Sequence, residues 1–212
     1  MIDFIEGPLW TFSLVVFCVG VAWRLFSIVR LGVKADRSPI KSSGVAGGFK
    51  GIFSRSIPRR EAMNASPLVI IAGYMFHIGL LVLLFWAAPH VRFLEMELLG
   101  FGWTPAPYWL FMLAAAFAFA GSMMLIIRRM VDPVLKKIST PDDHAGALIT
   151  FMVMLTGCLA LQESWAGLRA FHMLWVEILM IYFPFSRLMH AFTFAFSRAH
   201  SGAMFGRRGI GT

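Results

Sequence analysis

Five apolar stretches, each long enough to cross a bilayer, dominate this chain and leave it few ways to fold. They run over about 8–30, 67–88, 105–128, 141–162 and 168–197. A run of about 18 or more apolar residues with few charges spans the ~30 Å hydrocarbon core as an α-helix. In lipid, every backbone N–H and C=O must be satisfied within the protein, so only helices and closed barrels cross. The runs lack the two-residue alternation of a membrane barrel. The expectation is an all-α integral membrane protein, one domain over 1–212 built as a five-helix bundle. Composition agrees: 58% of the residues are hydrophobic and the mean hydropathy is +0.74.

Prolines and capping residues mark the predicted helix ends. Ser66 can cap the second helix, with Pro67 at its first position. Pro89 disfavours the helical state at Ala88 and ends that helix. Thr104 is the expected cap of the third helix. Thr140 caps the fourth, with Asp142 and Asp143 in a first turn that favours negative charge. Asp142-Asp143-His144 is therefore a capped start rather than a metal cluster, because adjacent side chains on a helix diverge. Pro184 is expected to kink the fifth helix. The N-terminal Met1-Ile2-Asp3-Phe4-Ile5-Glu6 lacks the basic segment of a secretory signal, so the first run is read as a retained helix.

Charge predicts the topology. The loop 31–66 carries Lys34, Arg37, Lys41, Lys50, Arg55, Arg59 and Arg60. The loop after the third helix carries Arg128, Arg129, Lys136 and Lys137, and the tail carries Arg198, Arg207 and Arg208. These segments fall on one side, which the positive-inside rule makes cytoplasmic. Asp3, Glu6, Glu95, Glu97 and Glu163 fall on the other, against Arg92 and Arg169. The N-terminus is thus expected outside and the C-terminus in the cytoplasm, in the inner membrane of a prokaryote. The net charge of +8 sets topology and does not point to nucleic acid, since no basic segment carries interleaved aromatics. The loop 31–66, rich in glycine, is either a solvated linker or a docking surface for a soluble partner.

The histidines carry the chemistry. His172 and His190 lie eighteen residues apart, about five turns, so on one continuous helix both imidazoles face the same way, about 27 Å apart. Histidine inside a membrane helix is costly and faces a partner rather than lipid. Two on one face, near opposite sides of the membrane, fit axial ligands for two haems. Two buried, hydrogen-bonded histidines fit as well. His77, in the second helix, sits at a depth similar to His190, so facing helices could clamp one iron between them. Gly73 and Gly79, flanking His77, would let a flat macrocycle lie close to the backbone. Paired histidine ligation gives a six-coordinate haem suited to electron transfer. Cys18 and Cys158 form neither a covalent haem-attachment motif nor an iron–sulfur spacing.

Phe76-His77-Ile78-Gly79-Leu80, together with Phe183-Pro184-Phe185-Ser186-Arg187-Leu188-Met189-His190, resembles the gamma subunit of respiratory nitrate reductases, a five-helix dihaem b-type cytochrome. Arg128-Arg129, Pro133 and Ser139-Thr140 resemble its third cytoplasmic-side loop, and the His172–His190 spacing matches its fifth-helix ligand pair. The resemblance covers about residues 60–197. It implies His77 and His190 as ligands of the inner haem b and His172 as one ligand of the outer haem. The other outer ligand should stand where this chain has Ala87. His90, about one turn further, is the candidate replacement. Otherwise His172 is five-coordinate, has a non-histidine partner, or binds quinone without haem. Arg187 and Arg24 are candidate partners for haem propionates, or they simply snorkel to the interface. Glu177, the one acid deep in a run, could accept a proton from quinol or be a buried, hydrogen-bonded carboxyl.

The resemblance implies one or two haems b and a membrane-anchor subunit of a respiratory redox complex. Such a subunit exchanges electrons between quinone or quinol and a cytoplasmic iron–sulfur partner. That partner is either heterodisulfide-reductase-like or the beta-type subunit of a molybdoenzyme. The chain has no iron–sulfur or molybdenum site of its own, so it is not the terminal catalyst. Two rivals differ in kind: a haem-free scaffold, which shows no b-type absorbance, and a small-solute transporter, which shows flux without a partner. Five helices without a repeat argue against the common transporter folds.

Overall fold

A computed structural model of the chain describes residues 1–32, 38–161 and 165–210. Lys34, Arg37, Gln162 and Glu163 lie outside them. All regular structure among the described residues is helical. Four long helices and one extended by a 3₁₀ turn are apolar enough to cross a membrane: α1 (Ile2–Leu31), α4 (Pro67–Trp86), α6 (Tyr108–Val131), α8 (Pro141–Ala160) and α9 (Ala166–Tyr182, continuing to Phe185). Shorter helices lie between and after them: α2 (Val45–Ser54), α3 (Arg60–Ala65), α5 (Ala88–Phe93), α7 (Pro133–Ile138) and α10 (His190–Arg207). The chain falls into two compact units. The first comprises Met1–Leu14 and Ser66–Ile181, the second Val15–Ala65 and Tyr182–Thr212.

The first helix begins at Ile2, with Pro8 inside it, rather than at about residue 8. Three other helix ends differ from the expectation, each for a reason that lies with proline. α6 starts at Tyr108 rather than 105, with Pro107 in extended conformation before it. Pro105-Ala106-Pro107 holds Ala106 out of the helical region, because the ring of Pro107 crowds the residue before it. α4 ends at Trp86, and the extended residue is Ala87 (φ −66°, ψ 134°). Ala88 is helical, because Pro89 occupies the first turn of α5, where a missing N–H leaves nothing unsatisfied. Third, 168–197 is not one helix. After Tyr182 the chain makes 3₁₀ turns at Phe183–Phe185 and Arg187–Met189, with Ser186 extended between them (φ −108°, ψ 173°). The Ser186 hydroxyl accepts the Leu188 N–H at 3.1 Å, which fixes the break. His190 begins α10, so the argument that places His172 and His190 on one face of a continuous helix does not hold.

In the first unit, α4 packs closely on α6. A Cβ on Gly79 would sit 2.5 Å from the Ala114 carbonyl oxygen and 2.8 Å from Ala118 Cβ. A Cβ on Gly121 would sit 2.5 Å from the Ala72 carbonyl oxygen. Ala72 and Ala118 are fully buried. In membranes, where lipid is as apolar as leucine, small residues drive this kind of approach by dispersion contact. The expected role of Gly79 beside a macrocycle is thus corrected: its bare face meets α6. Gly73 has nothing within 4 Å of its Cβ position. Leu83, Ala87, Phe111, Ala115 and Met154 complete the buried cluster.

The loop from α6 to α8 is held by polar ties. Asp143 accepts the Thr140 N–H at 2.8 Å and pairs with Arg129 at 3.3 Å, so Thr140 marks the start of α8 as expected. Ser66, by contrast, makes no side-chain cap. Asp132 caps α7 by accepting the N–H groups of Val134 (2.8 Å) and Leu135 (3.1 Å). The Leu135 and Val134 amides, followed by Arg128, hold its carboxyl below the ordinary carboxylate range. A carboxyl lowered on folding stabilises above its unfolded pKa and loses that contribution as pH falls through the folded value. Amide exchange at residues 134 and 135 is therefore expected to stay slow at neutral pH. Below about pH 4 it should accelerate beyond its intrinsic pH dependence, and Asp132→Asn should flatten that response.

In the second unit, Phe17, Phe183 and Phe192 meet edge to face with centroids 5.4–6.1 Å apart. A Cβ on Gly20 would overlap the ring of Pro184. The glycines of α2 lie against α10.

Candidate functional site

The break at Ala87 leaves α4 with four carbonyls that no helical N–H can reach. All four find partners. The Leu83 and Leu84 oxygens each accept from His90 Nδ1–H at 3.0 Å. The Phe85 oxygen accepts from the Trp103 indole at 2.8 Å. The Trp86 oxygen accepts the Ala106 N–H at 2.9 Å. His90 therefore closes the end of α4, and this use of Nδ1 fixes its orientation. A carbonyl can only accept, so Nδ1 carries the proton, and the neutral ring has its lone pair at Nε2.

The imidazoles of His90 and His172 lie with ring centroids 6.1 Å apart and planes 26° from parallel. His172 comes from α9 and is oriented from α8. Thr156 is buried, and its single hydroxyl proton goes to the Met152 carbonyl at 2.8 Å. Its oxygen therefore accepts from His172 Nδ1–H at 3.1 Å. The next residue, Gly157, makes room for the ring: a Cβ there would sit 3.0 Å from His172 Cε1. In the neutral ring this again puts the lone pair on Nε2. Both histidines are thus prepared as Nε2 donors by a hydrogen bond from the other nitrogen, which is how metal-binding imidazoles are held.

Together they line a cavity of about 430 Å³, within the size range of cofactor and ligand pockets. Leu80, Leu83, Leu84, Phe111 and Met154 supply apolar wall, and Arg92, Cys158, Trp165 and Arg169 contribute polar or polarisable groups. Arg169 is tied to Glu6 through Nε (3.1 Å) and Nη2 (2.6 Å), and Trp10 meets Phe93 edge to face at 5.8 Å. The N-terminal segment is thereby pinned to the first unit.

The separation of the two rings suits a shared ion. A metal–imidazole bond is about 2.0–2.1 Å and the ring adds a little over 1 Å on each side, so two imidazoles on one ion have centroids up to roughly 6 Å apart. Among the described residues no three His, Cys, Asp or Glu side chains gather as a metal site. A metal held by His90 and His172 must bring its remaining ligands, as a porphyrin does. Arg92, cationic and on the cavity wall, suits its carboxylates, while Arg169 is already paired with Glu6.

His77 lies on α4 in the first unit, exposed, and its Nδ1–H donates to the Gly73 carbonyl at 2.7 Å. His190 opens α10 in the second unit, and its Nδ1–H donates to the Arg187 carbonyl at 2.9 Å. Each shares the Nδ1-to-carbonyl arrangement of His90. Arg24 is exposed on α1. Glu177 is almost fully buried, and among the described residues neither carboxyl oxygen has a hydrogen-bond partner. It does not line the cavity between His90 and His172.

No family model matches the chain. It is similar to a protein of Nitratidesulfovibrio vulgaris, 27% identical over 95% of this chain and 92% of that one.

Thr156, Gly157, Arg92, Arg169 and Trp103 were not singled out as site residues from sequence. For the arginines a signal existed. Arg92 stands two residues after His90 and Arg169 three before His172, so each cation lies within a turn of a histidine. For Thr156 there was none, because its link to His172 exists only through the fold.

Proposed function

We propose that this chain is a b-type cytochrome, the membrane anchor of a respiratory redox complex in the inner membrane of a prokaryote. The observation that carries this reading is the His90–His172 pair: two imidazoles on the wall of one cavity, each with Nδ1 hydrogen-bonded, with ring centroids 6.1 Å apart. His90 and His172 would hold one haem there, with Arg92 as a partner for its propionates. The family resemblance would give a second haem to His77 and His190, with Arg187, three residues before His190, and Arg24 as candidate propionate partners. Bound haem would supply a reversible one-electron couple. The protein's own residues fix imidazole tautomers, exclude water with leucine and phenylalanine, and neutralise carboxylates.

Electrons would pass between the quinone pool on the outer side and an iron–sulfur partner at the basic cytoplasmic face, with the N-terminus outside and the C-terminus inside. Glu177 Oε would accept a proton from quinol bound outside the His90–His172 cavity, since its carboxyl is not on that wall. Chain purified in mild detergent should show a b-type α-band on dithionite reduction. A haem-free anchor would show none.

Thr156 gives a sharper test. By accepting the Nδ1–H of His172 it makes the ring more electron-rich, which favours the ferric state. Thr156→Val keeps the volume and removes the acceptor. It should leave haem content unchanged and raise one midpoint potential by tens of millivolts, on the order of the ~1 kcal/mol worth of one hydrogen bond. Thr156→Ser should restore it. Redox titration followed in the α-band reads both.

A further inference from the structure

The helix α2 has two opposite faces with different uses. Gly44, at its N-cap, and Gly47, Gly48 and Gly51 occupy one arc of about 100°, at 100° per residue. That arc lies on α10. A Cβ on Gly47 would sit 2.5 Å from the Gly202 carbonyl oxygen, and one on Gly51 2.8 Å from the Arg198 oxygen. Replacing the hydrogens with side chains would force the two backbones apart, so α2 is committed to α10 through this face. The contact is reinforced by Arg198, which reaches Ser56 Oγ at 2.5 Å, and by Arg55 over the Phe205 ring at 5.3 Å.

The other face carries Val45, Phe49 and Phe53, which are 61%, 67% and 72% exposed. They stand on an arc of about 80° centred roughly 150° from the glycines. Lys50 falls between the two faces, and Arg59 and Arg60 follow the helix. Ten residues make about 15 Å of helix, half of what a crossing needs. The unit that carries this face is strongly basic: residues 15–65 and 182–212 hold thirteen Lys or Arg against Asp36 and Glu61. An apolar stripe flanked by cations on a helix too short to span is the pattern of a segment lying in the headgroup–acyl boundary of an anionic leaflet.

We propose that α2 is such an interfacial helix. Val45, Phe49 and Phe53 enter the boundary region of an anionic membrane surface, Lys50, Arg59 and Arg60 meet its phosphates, and the glycine face fastens α10 to it. The assignment does not depend on haem. It gives the glycine-rich part of loop 31–66 to the lipid surface, where a docking surface for a soluble partner was one of two expectations.

The test uses the full chain with Cys18→Ser and Cys158→Ser, reconstituted in nanodiscs. Phe49→Cys, Phe53→Cys and Lys50→Cys are each spin-labelled separately, so failure of one variant leaves the others. Collision with oxygen and with a water-soluble nickel chelate reports depth. In discs containing phosphatidylglycerol, labels at 49 and 53 should favour oxygen by severalfold over the label at 50. In pure phosphatidylcholine that contrast should fall severalfold. Three results would overturn the proposal. Labels at 49 and 53 as open to nickel as the one at 50 would mean a water-facing surface, free for a soluble acidic partner. Labels shielded from both reagents would mean burial against protein, as in a second copy. Depth indifferent to lipid charge would remove the anionic surface as the occupant.

Discussion

His172→Ala should halve the haem content of the purified chain, from two per polypeptide to one, and abolish one of two low-spin ferric signals. The expectation rests on the pairing of His172 with His90 at 6.1 Å and on the hydrogen bond that turns its Nδ1 to Thr156. If His172 were only a packed core residue satisfied by Thr156, the substitution would cost stability and leave haem content unchanged. His90→Ala should remove the same haem and do more damage. It also strips the Leu83 and Leu84 carbonyls of their donor, and the part-buried Leu83 carbonyl left unpaired costs on the order of 1 kcal/mol. The H172A and H90A variants should therefore lose the same spectral component but differ in thermal stability, with His90→Ala the weaker. Added imidazole should restore the low-spin signal to H172A, because the cavity wall opposite stays intact.

Gly79→Ala is expected to be strongly destabilising to the first unit. The new Cβ would meet the Ala114 carbonyl at 2.5 Å and the Ala118 nitrogen at 2.7 Å. Both are backbone atoms of a packed helix and cannot swing aside as a side-chain tip would. Overpacking of this kind costs about 1–3 kcal/mol, occasionally more, and α4 and α6 would have to separate along the contact. Gly73→Ala is the matched control on the same helix. Nothing protein-derived lies within 4 Å there, so alanine should gain up to about 1 kcal/mol from helix propensity. Thermal unfolding in detergent should show opposite signs at the two positions. Equal effects would mean that α4 does not meet α6 through Gly79.

The five spans were legible because apolar length is a local property of the chain. The break points were legible in part. Pro89, Pro105, Pro107 and Pro184 announce where a helix must adjust, but a proline can end one helix, start the next or kink a continuous one. At residue 87 the outcome was an end and a restart, which brings His90 toward His172. After Tyr182 it was 3₁₀ turns with an extended Ser186, which sets His190 at the head of a new helix. The reading of His172 and His190 as one helical face failed for that reason, although each residue was correctly marked as unusual in an apolar run. Glycine was harder. Gly79 beside a histidine looks like room for a cofactor, and only the position of α6 shows what fills the space. The glycines of α2 look like a flexible loop until α10 is seen against them. Thr156 and the cavity arginines were invisible as a set because they come together from separate helices.

The most direct test of the central claim, that His90 and His172 share the iron of a haem b, is the electron paramagnetic resonance spectrum of the oxidised, detergent-purified chain beside its His172→Ala variant, with haem quantified as the pyridine haemochrome. The account predicts low-spin ferric haem from bis-imidazole ligation in the parent protein and the loss of one such centre in the variant. A parent chain free of porphyrin, or a variant with the same haem content and the same low-spin signals, would contradict it.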